Sequence, residues 1–69
     1  MLPKRSVVAA NINYYRTLLN VSQKELYGAL GISRNTYRRR CDLETFTVAD
    51  LRIIANILHR PVIDLVKGA

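Results

Sequence analysis

Apolar residues recur along this chain at helical intervals. Val8, Ile12, Tyr15 and Leu19 follow one another at 4-3-4 spacing, the stripe of a helix with one buried side. Leu26, Tyr27 and Leu30 share a second face, and Val48, Leu51, Ile54, Ala55 and Leu58 make a longer third. No stretch alternates apolar with polar as a half-buried strand does. The pattern predicts an all-α chain.

Polar residues between the stripes set the helix ends. Ser6 suits the start of a first helix over about 7–19, where its hydroxyl can accept a backbone N–H that the first turn leaves free. Asn20 tolerates the left-handed backbone that ends helices. "SQKE", residues 22–25, has the form of a capping box and opens a second helix over about 23–30. Gly31 ends it, because glycine enters the left-handed region without a Cβ clash. Ser33 caps a third helix over about 34–41, and "CDLETF" reads as a loop. "TVAD", residues 47–50, is a second box with Asp50 in place of glutamate, before a fourth helix over about 48–58. Pro61 suits the first turn of a short apolar fifth helix, about 61–67, which Gly68 stops. Five helices on short loops predict one compact domain over 1–69.

Composition adds limits. Apolar residues are 49% and charged residues 23%, an ordinary globular mixture. A chain of 69 residues buries only ~60% of the surface its unfolded form exposes, so its stability is marginal. There is little room for an elaborate active site. With no Gly-rich phosphate loop, no second histidine and no catalytic carboxylate pair, neither enzyme activity, cofactor, metal nor small-molecule ligand is expected. Cys41 is the single cysteine, which excludes an internal disulfide and points to a reducing, cytoplasmic setting. It reads as a small apolar filler, and His59 as a cation at a helix end. No run approaches the ~18 apolar residues of a membrane span, and "VVAA" is too brief for a signal peptide.

Charge alters the picture more. Residues 1–40 hold eight lysines and arginines against one acid, a net +7, whereas residues 41–69 hold three against four, a net −1. Such a lopsided distribution, with the whole chain at +6, points to a polyanion partner, nucleic acid before others.

The charge peaks in "GISRNTYRRRC", residues 31–41. At about 100° per residue, Arg34, Asn35, Arg38 and Arg39 fall on one side of the third helix, and Tyr37 falls opposite, flanked by Thr36. A helix anchored by its back and basic in front fits the major groove of DNA. Arginine can donate two bonds to guanine, and asparagine can pair bidentately with adenine.

The span from Ser22 to Arg40 resembles a helix-turn-helix of the phage Cro and repressor type. The residues that carry the resemblance are Gln23, Leu26, Leu30, Gly31 in the turn, Ile32 after it, and Ser33 at the next cap. Beyond these, "RNTYRRR" and "FTVADLRIIANIL" are similar to small phage Cro-like proteins, over roughly residues 10–67. The resemblance implies a five-helix Cro/repressor-like domain with the motif at about 23–41. It implies sequence-specific binding of duplex DNA by a phage or prophage transcriptional regulator that works by occupying an operator in a bacterial cell.

It also assigns roles. Arg34, Asn35 and Arg39 take the base-reading positions, and Arg38, which can serve either purpose, is grouped with them. Gln23, Lys24 and Ser33 take phosphates, joined by Thr36 and Arg40. Three residues depart from the family. Tyr27 stands where alanine or glycine is usual and must widen the helix crossing or find its own pocket. Arg40 replaces an apolar residue, so it either lays its methylenes on the core or reaches a phosphate. Arg16 loses its usual acidic partner to Cys41, so Asp42 or Glu44 is expected to supply one. Tyr14 lies off the first stripe and is free to touch a phosphate.

One short recognition helix reads only ~3–5 base pairs, too few for useful discrimination. Two copies on a roughly palindromic site are therefore expected, with no more than a weak dimer in free solution. The expected contact is the apolar fifth helix, Val62, Ile63, Leu65 and Val66, with the end of the fourth. The alternative from another class is a protein-interaction module of antitoxin or anti-repressor type that uses the same apolar helix. Binding to RNA has less support, since the basic face lacks stacking aromatics.

Overall fold

Each polar cap in the sequence closes a helix. In the computed structural model, which describes residues 6–68, the order is α1 (Val7–Leu18), α2 (Gln23–Leu30), α3 (Arg34–Leu43), α4 (Val48–Leu58) and α5 (Val62–Val66). The described residues contain no strand. Lys4 and Arg5, counted in the basic half of the chain, lie outside the described residues. The domain is all-α, with five helices within 34 × 24 × 22 Å.

The hydroxyl of Ser6 accepts the Ala9 N–H at 3.1 Å, and Asn20 takes left-handed backbone just past α1 (φ 57°). Ser22 caps α2 by accepting the Glu25 N–H at 3.1 Å, but the reciprocal Glu25 carboxylate bond is not made, so this box is half closed. Gly31 sits at φ 70°, and Ile32 donates back to the Tyr27 carbonyl at 3.1 Å. That is the tight reversal that turns the chain from α2 into α3. The box at α4 closes fully: Thr47 Oγ1 accepts the Asp50 N–H, and Asp50 accepts the Thr47 N–H.

α3 and α5 differ most from the sequence reading, and α1 ends one residue early, at Leu18. α3 runs two residues further, through "CDL" to Leu43, because Glu44 adopts left-handed backbone (φ 52°) and Thr45 donates to the Arg40 carbonyl at 3.0 Å. α5 is shorter than 61–67, with Pro61 as its cap residue and Lys67 already extended. Asn11 ties down its end by donating to the Leu65 and Lys67 carbonyls, both at 3.0 Å.

The core lies where α1, α2, α3, α4 and α5 converge: Val8, Ile12, Leu26, Tyr37, Leu51, Ile54, Ala55, Leu58 and Leu65. Burial of each large apolar side chain here contributes roughly 1.5–3 kcal/mol. The stripes are shorter than the spacing predicts. Leu19 lies beyond the last turn of α1 and Val48 opens α4, and both are exposed. Leu65 corrects the reading of α5 as a surface helix. It is fully buried, while Val62 and Val66 are half-buried and only Ile63, at 62%, is well exposed.

Candidate nucleic-acid interface

The basic face is presented by α3, and its orientation is set by what lies behind it. Tyr37 is only 2% exposed. Its ring packs against Tyr27 on α2 at 6.1 Å and Phe46 after α3 at 5.7 Å. Tyr27 therefore finds its place by packing at a tilt against Tyr37. The Tyr37 hydroxyl is buried without a hydrogen-bond partner among the described residues. Burial first, and the neighbouring Cys41 thiol next, push its ionisation far above the ordinary tyrosine range. Burial likewise raises the Cys41 thiol, which disfavours the reactive thiolate.

In front, Arg34, Asn35, Arg38 and Arg39 are all exposed. Asn35, Arg38 and Arg39 border one open hollow of about 390 Å³ together with Asp42 and Leu43. Arg34 stands apart from that hollow, at the first position of α3. Ser33 caps the helix by accepting the Thr36 N–H at 3.1 Å, and its hydroxyl donates to Thr36 Oγ1 at 3.0 Å. Thr36 is half-buried and engaged with its own cap. Lys24 is exposed and Gln23 half-buried, both in the first turn of α2.

Two basic residues are structural braces. Arg40 Nη1 pairs with Asp50 Oδ2 at 3.0 Å. This ties the last turn of α3 to the cap of α4 and occupies the side chain grouped above with phosphate contacts. Arg16 is not paired with Asp42 or Glu44. Its Nη1 donates to the Val21 carbonyl at 3.1 Å, just before the cap of α2, and its Nε and Nη2 donate to Asn13 Oδ1. Glu44 instead accepts the N–H of Val7, the first residue of α1, at 2.8 Å. The Arg16 bonds are local, three and five residues apart, whereas the Arg40–Asp50 pair depends on how the loop after α3 brings α4 back.

Elsewhere Arg60 pairs with Asp64 and lies over the Tyr15 ring, 4.9 Å from its centroid. Tyr14 meets Tyr15 edge-on and is exposed. His59 forms the left-handed end of α4 (φ 55°). Among the described residues no group of three His, Cys, Asp or Glu side chains gathers to hold a metal, and no helix is long and apolar enough to cross a membrane.

No family model matches the chain, and neither the curated proteins nor the solved structures include a match. The chemistry of the surface therefore carries the functional reading.

Proposed function

We propose that the chain binds duplex DNA sequence-specifically, as a Cro-like regulator of phage or prophage type that acts by occupying its operator. The observation that carries this reading is the two-sided construction of α3. Three exposed arginines and Asn35 stand on its front, and Tyr37 locks its back into the core. A helix held this way projects its donors rigidly, as major-groove readout requires. Arg34, Asn35 and Arg39 read base edges, and Lys24 and Gln23 grip the strand before them. Ser33 and Thr36 serve the cap first and the backbone second. Two copies bind a roughly palindromic operator, with the exposed Ile63 edge of α5 as the contact between them.

A second reading rests on that same edge. Ile63, the half-buried Val62 and Val66 beside it, and the apolar groove between Leu18, Leu19 and Leu58 suit a protein partner of antitoxin or anti-repressor type. Salt separates the two. Neutralising several phosphates releases condensed counterions, so log affinity for a labelled duplex falls steeply and linearly with log salt. Affinity that is flat between low and physiological salt contradicts the DNA reading and favours the protein partner.

A further inference from the structure

Three side-chain donors far apart in sequence, with one carboxylate, border one half-open cleft where α1, α2 and α3 meet. Asn13, Gln23 and Arg38 line it, around a space of about 130 Å³. Ala9, Tyr37, Cys41 and the Asp42 carboxylate complete its lining.

The donors of this cleft are unspent. Asn13 offers its Oδ1 to Arg16 Nε and Nη2 at 3.4 and 3.3 Å. An amide whose oxygen faces a guanidinium turns its NH₂ the other way, and Asn13 Nδ2 makes no hydrogen bond to the described residues. Gln23 opens α2, where the Ser22 hydroxyl takes only the Glu25 N–H, so the N–H groups of the first two helical residues have no partner among the described residues. Arg38 is exposed and in no ion pair with a described residue.

We infer that Asn13 is a phosphate-binding residue, whose amide joins Gln23 and Arg38 in holding one phosphodiester of a DNA strand in this cleft. The inference rests on the duplex-binding reading and adds α1 to the interface. It also moves Arg38 from base reading to the backbone grip. Arg16 acts as the positioning residue: it fixes the Asn13 amide and, through the Val21 carbonyl, the entry of α2. Asp42 opposes the anion, so neutralising it tightens binding.

The decisive variant is Asn13→Asp. It keeps and strengthens the acceptor for Arg16 while removing the donor to phosphate. The expected result is a thermal midpoint at or above that of the parent, with affinity for every duplex reduced about tenfold and base preference unaltered. Asn13→Ala, at an exposed helical position, weakens all duplexes about threefold. Asp42→Asn strengthens them. Arg38→Ala lowers the slope of log affinity against log salt by about one. Parent-like affinity of Asn13→Asp overturns the inference, and so does a loss confined to one base sequence. If the folded parent binds no duplex at any salt, the DNA reading fails by itself. Inorganic phosphate, titrated against the side-chain amide resonances of Asn13 and Gln23, then decides the site: shifts at both keep it, and none at either overturns it.

Discussion

Arg40 and Asp50 are joined at 3.0 Å, and the Asp50 oxygen that receives the Arg40 guanidinium also receives the Thr47 N–H. One carboxylate thus closes the cap of α4 and holds the last turn of α3. Asp50 is well covered, at 15% side-chain exposure, whereas Arg40 is about a third exposed.

Asp50→Ala removes both bonds and leaves the box half closed, with only Thr47 Oγ1 still accepting the N–H of residue 50, so it costs about 1–3 kcal/mol. Arg40→Met keeps the methylenes and breaks only a partly solvated pair, so it costs no more than about 1 kcal/mol. Urea denaturation of the two variants checks the order. Equal losses would mean that the cap bond contributes nothing beyond the ion pair.

Gly31 holds φ 70°, and a Cβ there would meet nothing within 4 Å. The penalty for Gly31→Ala is therefore purely conformational, about 1–2 kcal/mol. Denaturation measures it, and a neutral substitution would show that the turn relaxes.

Tyr37 separates packing from polarity. Tyr37→Phe keeps the ring and deletes an unpartnered buried hydroxyl, so stability at neutral pH stays level or rises. Tyr37→Ala empties the core and costs about 3–5 kcal/mol, enough to unfold a domain this small. The pH dependence follows from the raised ionisation of Tyr37. The unfolded chain loses this proton near the ordinary tyrosine value of about 10, while the folded chain keeps it. Above that pH the unfolded state binds fewer protons, so stability falls as pH rises, and the contribution is intact below it. Tyr37→Phe removes this part of the alkaline loss. Thermal melts of parent and variant between neutral and alkaline pH check the sign.

Much of this architecture is legible in the sequence because caps are local. Ser6, Ser22, Ser33 and Thr47 each accept the N–H three residues on, and Gly31 marks its turn by having no side chain. The C-terminus of α3 is not legible. Glu44 takes left-handed backbone without being glycine or asparagine, and its carboxylate is occupied 37 residues away at Val7. The partners of Arg16 and Arg40 and the burial of Leu65 are not legible for a related reason. Whether an arginine braces or binds, and whether a leucine of a short helix faces inward, is decided by the neighbouring helix. The basic face of α3 needed only the helical period. The cleft containing Asn13 needed the packing of α1 against α3.

Self-association is read at Ile63. Ile63→Asp alters an exposed side chain and leaves the fold intact, whereas Leu65→Ala removes a fully buried one and costs about 2–5 kcal/mol. Sedimentation on a labelled operator is expected to show two copies of the parent bound together. Ile63→Asp is expected to bind singly and without cooperativity. Cooperative binding by Ile63→Asp would move the contact elsewhere.

The division of labour on α3 is tested by alanine. Arg34→Ala, Asn35→Ala and Arg39→Ala each cost about 1–3 kcal/mol of binding and relax the preference at one or two base positions. Lys24→Ala weakens all sequences alike. Competition among variant operators distinguishes these outcomes, and uniform weakening by Arg39→Ala would remove it from the base readers.

Sequence-specific recognition itself is tested most directly by selection from a pool of random duplexes, with the bound fraction sequenced after each round. The expected result is a short, roughly palindromic motif with half-sites about one helical turn apart. A pool that stays random through successive rounds would contradict it.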